Sequence, residues 1–147
     1  MKKTAIFPGS FNPFTVGHKD IVVRALSIFD KVIIAIGINA DKAATSDAEL
    51  RAESIRKCFA DYPNVEVCVY SGLTVDLCRE YNVFTLVRGI RDCADWEYER
   101  KIADVNRLMD SRVETVYLQT SPQYASISSS VVRDIARHGG DVSEFLP

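Results

Sequence analysis

The chain is poor in the residues that build covalent staples, membrane spans or nucleic-acid coats. It has four cysteines, Cys58, Cys68, Cys78 and Cys93. They form no C-x-x-C pair and have no histidines at zinc-finger spacing, which argues against a disulfide framework or a structural zinc; reduced, partly buried thiols are expected. No run approaches the ~18 apolar residues of a membrane span, and Met1-Lys2-Lys3 leads into a short apolar stretch that soon meets Pro8, unlike a signal peptide. No membrane partner is expected, and the expected location is cytoplasmic. Basic residues are not in excess: 18 Lys and Arg face 20 Asp and Glu, a net charge of −2. A general nucleic-acid coat needs the opposite balance, so no nucleic-acid partner is expected and any anion site must be assembled locally. Missing too are a G-x-G-x-x-G after the first strand and a G-x-x-x-x-G-K-[ST], the marks of dinucleotide and P-loop sites. No repeat or low-complexity linker breaks the chain.

What is present is enough for one core. At 147 residues and 47% hydrophobic content, a single domain spanning 1–147 is expected. Apolar runs suited to buried parallel strands recur at Thr4–Phe7, Val32–Ile38, Val65–Tyr70, Thr85–Val87 and Thr115–Leu118, with helical periodicity between them. The first helix, from His18, carries Ile21, Val22, Ala25, Leu26 and Phe29 on one stripe. Others are expected over Asp47–Phe59 and Thr74–Tyr81. A longer one should turn Trp96, Ile102, Val105 and Met109 inward, and a last one should run from the Ser128-Ser129-Ser130 cluster to before Gly139-Gly140. The alternation predicts an α/β fold: a Rossmann-like five-stranded parallel sheet with helices on both faces. Right-handed crossovers would gather the loops after Phe7, Ile38, Val87 and Leu118 at one end of the sheet, where open α/β folds bind ligands.

Those loops hold the candidate chemistry. Between the first strand and helix lies Pro8-Gly9-Ser10-Phe11-Asn12-Pro13-Phe14-Thr15-Val16-Gly17-His18, in which small residues let backbone approach a ligand and His18 stands near free N–H groups that favour an anion. The same segment also reads as plain turn punctuation with a capping histidine. Lys42, Arg88, Arg91, the three serines and Arg133 would join Ser10 and His18 around one cavity, a donor set suited to polyphosphate. Each has an ordinary alternative: Arg91 pairing with Asp92 or Asp95, and a serine capping its helix. In the Arg88–Glu99 stretch, Gly89 permits close approach, Trp96 reads as structural and Glu99 as facing a nucleotide.

Thr15-Val16-Gly17-His18 resembles the T/H-x-G-H signature of the nucleotidyltransferase superfamily, and Ile127-Ser128-Ser129-Ser130-Val131-Val132-Arg133 resembles its I-S-S-[ST]-x-V-[RK] signature. The opening A-I-F-P-G-S-F-N-P, Arg88-Gly89-Ile90-Arg91 with Asp95-Trp96-Glu97-Tyr98-Glu99, and the ending Ala136-Arg137-His138-Gly139-Gly140-Asp141-Val142 narrow the resemblance to the phosphopantetheine adenylyltransferase family. It spans nearly the whole chain, with Ser10 where Thr is frequent, Asn12 where Asp is frequent and Tyr124 where Trp is frequent. The resemblance implies transfer of AMP from ATP to 4′-phosphopantetheine, giving dephospho-CoA and pyrophosphate in coenzyme A biosynthesis, with Mg²⁺ carried mainly by the ATP phosphates. It also implies a homohexamer and CoA as a further ligand. By position it puts catalytic roles on His18, Lys42 and Arg91. Acceptor binding falls on Ser10, Lys42, Thr74 and Arg88, and ATP binding on Ser10, Phe11, His18, Gly89, Ile90, Arg91, Glu99, Tyr124, Ala125, Ser126, Ile127, Ser128, Ser129 and Ser130. Rivals are another adenylyl- or cytidylyltransferase and a silent nucleotide- or CoA-binding module.

Overall fold

The computed structural model describes residues 2–39 and 42–147, the side chains of residues 42 and 43 excepted. Five strands, β1 (Thr4–Gly9), β2 (Lys31–Ile38), β3 (Val65–Ser71), β4 (Thr85–Ile90) and β5 (Glu114–Gln119), alternate with α1 (Val16–Ala25), α2 (Lys42–Cys58), α3 (Thr74–Tyr81), α4 (Cys93–Met109) and α5 (Ser129–Arg137). The strands form one parallel sheet in the order β3-β2-β1-β4-β5. This is the expected Rossmann-like arrangement.

Because successive strand residues point to opposite faces, a strand covered on both sides reads as an unbroken apolar run. Ala5, Phe7, Val32, Ile34, Ile36 and Val87 join one buried cluster with Ile21 and Val22 of α1 and Ala52 and Ile55 of α2. Ile6, Ile33, Ala35 and Leu86 join another with Val75, Leu77 and Cys78 of α3. Among the described residues no helix is long and apolar enough to cross a membrane, and all four cysteines are free thiols.

The order places β1 centrally, with β2 on one side and β4 on the other. The chain's direction of winding reverses between β1 and β4, and the carboxyl ends of those two strands frame a crevice there.

Three element readings change. α1 starts two residues before His18, because Thr15 caps it. α2 starts at Lys42 rather than Asp47, the Ala43-Ala44 pair being good helix former. The largest correction concerns α4, whose Trp96, Ile102, Val105 and Met109 are exposed along with Tyr98 and Leu108, the last at 86%. The helix buries Glu99 and Asn106 instead. Ile102, Val105 and Met109 share an outward stripe with Tyr98 and Leu108, whereas Trp96 lies on another side of the helix and packs edge-on against Tyr117 of β5, ring centroids 5.1 Å apart, in keeping with its structural reading.

Candidate active site

A cavity of about 260 Å³ opens at the crevice between β1 and β4, and its wall includes Ser10, His18, Arg88, Arg91 and all three serines at the start of α5. Residues more than one hundred positions apart in sequence therefore meet around one space. His18 and the serine turn share its lining, as a polyphosphate site requires.

His18 is held by a reciprocal cap at the start of α1. The Thr15 N–H donates to His18 Nδ1 at 2.9 Å, and the His18 N–H donates to Thr15 Oγ1 at 3.3 Å. A ring nitrogen that accepts from an N–H carries no proton, so the neutral imidazole keeps its hydrogen on Nε2, its remaining polar atom. Around the ring stand Phe11, Phe14 and Phe7, with centroids 5.0, 5.3 and 6.2 Å away. Burial, reinforced by the Arg88 and Arg91 charges, lowers the His18 pKa from 6.5 to about 4. At neutral pH this residue is a fixed, uncharged hydrogen-bond donor. The loop before it is tight: Phe11 has a φ of 48° and stacks on Phe7, and a Cβ on Gly9 would lie 2.9 Å from the Phe11 ring. Only glycine leaves that ring in place.

The three serines do different work. Ser128 Oγ accepts from the Val131 N–H at 3.2 Å and caps α5. Ser129 Oγ donates to the Pro13 carbonyl at 2.8 Å, and Arg133 donates to the Asn12 carbonyl at 2.6 Å and to Ser130 Oγ at 3.3 Å. The start of α5 thereby grips the Ser10–Phe14 loop, while first-turn N–H groups remain without intrahelical partners. Asp20 and Arg24 tie α1 to the stretch after β5: Ser121 Oγ donates to Asp20 at 2.7 Å, and Arg24 donates to the Gln119 carbonyl at 2.9 Å.

The arginines sit opposite. Arg88 makes a two-pronged pair with Glu99, Nε to Oε2 at 2.9 Å and Nη2 to Oε1 at 2.6 Å, and also donates to the Pro8 carbonyl. Arg91 meets Asp95 at 3.0 Å, while Asp92 caps α4 by accepting from the Asp95 N–H at 2.8 Å. A second cavity, also about 260 Å³, adjoins the first and is lined by Ser10, Thr74, Tyr70 and the α4 residues Ile102, Ala103 and Asn106. Gly9, Ser10, Arg88 and Glu99 line both cavities. The Tyr70 and Thr74 hydroxyls are 3.0 Å apart.

Of the candidates for nucleotide contact, Ser10, Phe11, His18, Gly89, Arg91, Glu99 and Ile127 to Ser130 line the first cavity. Ile90, Tyr124, Ala125 and Ser126 lie on flanking backbone outside that lining. Of the acceptor candidates, Ser10, Thr74 and Arg88 line the second cavity, and the Lys42 side chain falls outside the described residues. Sequence reasoning missed Thr15, Tyr70 and Asn106. Thr15 had a visible signal, a capping hydroxyl three residues before His18; Tyr70 and Asn106 look like ordinary strand and helix residues.

Comparison with known proteins agrees with this geometry. A profile described as cytidylyltransferase-like matches residues 6–135. Among curated relatives, the phosphopantetheine adenylyltransferase of Cytophaga hutchinsonii is 50% identical over 147 residues, covering 100% of this chain and 98% of that protein. The one from Porphyromonas gingivalis is 54% identical over 146 residues, covering 99% and 95%. A solved structure from Vibrio parahaemolyticus, provisionally assigned as a nicotinate-nucleotide adenylyltransferase, superposes with a TM-score of 0.68 at 25% identity, over 99% of this chain and 94% of that one. With a central β1/β4 crevice, an imidazole and a serine turn around one cavity, and half of all residues shared with these relatives along the full length, the chain belongs to the phosphopantetheine adenylyltransferase family.

Proposed function

We propose that the chain transfers AMP from ATP to 4′-phosphopantetheine, giving dephospho-CoA and pyrophosphate, a step of coenzyme A biosynthesis. The observation that carries this reading is the pair of adjoining cavities with Arg88 in their common wall. One space fits a triphosphate and the other its acceptor, with a shared cation where their phosphates must meet.

The acceptor's phosphate oxygen attacks the α-phosphorus of ATP, a new P–O bond forms, and the bond to the β-phosphate oxygen breaks as pyrophosphate leaves on the opposite side. A phosphate monoester is already an anionic nucleophile near neutral pH, so the enzyme's task is to bring two polyanions together and stabilise charge at phosphorus. His18 Nε2–H donates to the α-phosphate. Arg91 and the first-turn N–H groups of α5 hold the β- and γ-phosphates, and Arg88 and Lys42 receive the acceptor phosphate. Mg²⁺, when bound, neutralises phosphate charge and is held mainly by ATP oxygens and water. The carboxylates of the first cavity, Asp95 and Glu99, each engage an arginine, which would leave the metal to phosphate oxygens and water.

CoA, which shares the acceptor's pantetheine arm, would compete for the second cavity. The exposed α4 stripe of Tyr98, Ile102, Val105, Leu108 and Met109 supports self-association, for which we propose a homohexamer in the cytoplasm. The experiment is a pyrophosphate-release assay with ATP or CTP against phosphopantetheine or nicotinate mononucleotide. Turnover should require ATP and phosphopantetheine together; preference for either alternative would reassign the reaction within the superfamily, and none with any pair would indicate a silent binding module.

A further inference from the structure

We propose that Asp20 is a positioning residue for the nucleotide wall of the site, acting through Ser121. The proposal rests on the reading of the first cavity as the ATP site and adds to it a residue that does not touch the ligand.

The segment of residues 121–127, between β5 and α5, carries part of that wall: Thr120 just before it, Ile127 at its end and the serines that follow all line the first cavity. Its own hold on the fold is weak. None of these residues is buried, and Pro122, Gln123 and Ser126 are exposed. The turn is closed on itself, the Tyr124, Ala125 and Ile127 N–H groups donating to the carbonyls of Ser121, Pro122 and Tyr124. A segment with so little apolar burial takes its position from polar ties. Among the described residues, the side-chain hydrogen bonds that reach it from elsewhere come from two residues of α1. Ser121 Oγ donates to Asp20 Oδ2 at 2.7 Å, and Arg24 Nη1 lies 3.3 Å from Ser121 Oγ, 3.2 Å from Asp20 Oδ2 and 2.9 Å from the Gln119 carbonyl. Asp20 is thus the acceptor on which a hydroxyl and a guanidinium converge, and its charge strengthens both bonds. Neither Asp20 nor Arg24 lines either cavity.

The tie matters because of the helix it starts from. Residues two apart on an α-helix leave its axis about 200° apart, so His18 faces the cavity while Asp20 faces the segment after β5. Tyr124 packs against the same helix start, its Cβ 3.5 Å from the place a Cβ on Gly17 would take. One helix therefore carries both the donor aimed at the α-phosphate and the anchor of the wall beside it. ATP meets a wall already in place; without the tie, binding would first have to order the segment, at a cost in affinity. The second cavity is lined by none of these residues, so the acceptor would be spared that cost.

The test uses the full-length protein and two readings: Kd for ATP by calorimetry, and KM for phosphopantetheine from pyrophosphate release. Asp20→Ala should weaken ATP binding about tenfold, the lower end of what a hydrogen bond to a charged group contributes, while KM for phosphopantetheine stays within about twofold. Asp20→Asn, which still offers Ser121 an acceptor, should restore ATP affinity to within about threefold of the unsubstituted protein. Ser121→Ala should weaken ATP binding alone but add almost nothing to Asp20→Ala, because residues acting through one another are non-additive. An unchanged ATP affinity in Asp20→Ala, equal losses for both substrates, Asn as damaging as Ala, or additive effects of the two alanines would each overturn the proposal. Should Asp20→Ala fail to fold, Ser121→Ala against the unsubstituted protein carries the same split between the two substrates. Failure of the parent reading shows differently: the unsubstituted protein would bind no ATP.

Discussion

His18 stands in a wall of aromatic rings, whereas Arg88 and Arg91, across the same cavity, stand among carboxylates. On the first side burial drives the imidazole to its neutral form and a backbone N–H fixes its tautomer. On the second side the two guanidinium groups are held by Glu99 and Asp95 from a single helix. The difference suits the roles proposed for the two sides. A donor aimed at charge that develops only in the transition state gains from being rigid and dry. Groups that must capture phosphates arriving from water gain from charge, with their direction set by partners. The two walls also differ in how they are anchored: α1 is sewn into the core by Ile21, Val22 and Ala25, while α4 leaves an apolar stripe uncovered.

The comparison can be broken most severely at His18. His18→Ala removes the donor and leaves the arginine wall, so kcat should fall by ~10²–10³ while Kd for ATP changes by only a few-fold; single-turnover kinetics with parallel calorimetry separate the two. Near-normal turnover would remove the imidazole from the chemistry. On the opposite wall, Leu108→Glu places a charge on the outward face of α4, at a position far from solvent exclusion in the subunit itself. The mass measured by sedimentation should drop to smaller species with helix content unchanged, and an unaltered mass would detach that stripe from assembly. Smallest is Ser129→Ala, which loses one hydroxyl bond to the Pro13 carbonyl and keeps the neighbouring N–H groups. ATP should bind a few-fold more weakly, in line with the ~0.5–1.5 kcal/mol of one hydrogen bond; unchanged affinity with a lowered melting temperature would make the serine a structural clasp only.

How legible each wall was in the sequence follows from the same contrast. The strands were readable because a parallel strand buried on both faces is a plain apolar run, as at Val32–Ile38. His18 and the serine turn were readable because a small-residue loop and a hydroxyl cluster at helix starts have local signatures. The orientation of α4 was not: periodicity reports that Ile102, Val105 and Met109 share a stripe, and a stripe that meets another surface looks the same as one that meets the core, while Trp96 sits on a different side of the helix against Tyr117. The partner of Arg88 was hidden for a different reason. Glu99 is eleven residues away and reaches it only because β4 and α4 pack together, a distance at which no local rule pairs charges. Thr15 lay in between, since its capping role was visible once the helix was started two residues earlier.

Protonation of the imidazole reports most directly on whether this wall is built as described. With a folded pKa of about 4 against 6.5 for the free residue, His18 takes up a proton on unfolding between those values. Its contribution to stability is therefore intact above about pH 6.5 and is lost as the pH falls from there toward 4. Nitrogen-detected NMR of the ligand-free protein, with His138→Asn identifying the only other histidine, gives both the midpoint and the tautomer. The account predicts a neutral ring bearing its hydrogen on Nε2 at pH 7 and a midpoint near 4; a midpoint near 6.5, or a hydrogen on Nδ1 at neutral pH, would contradict it.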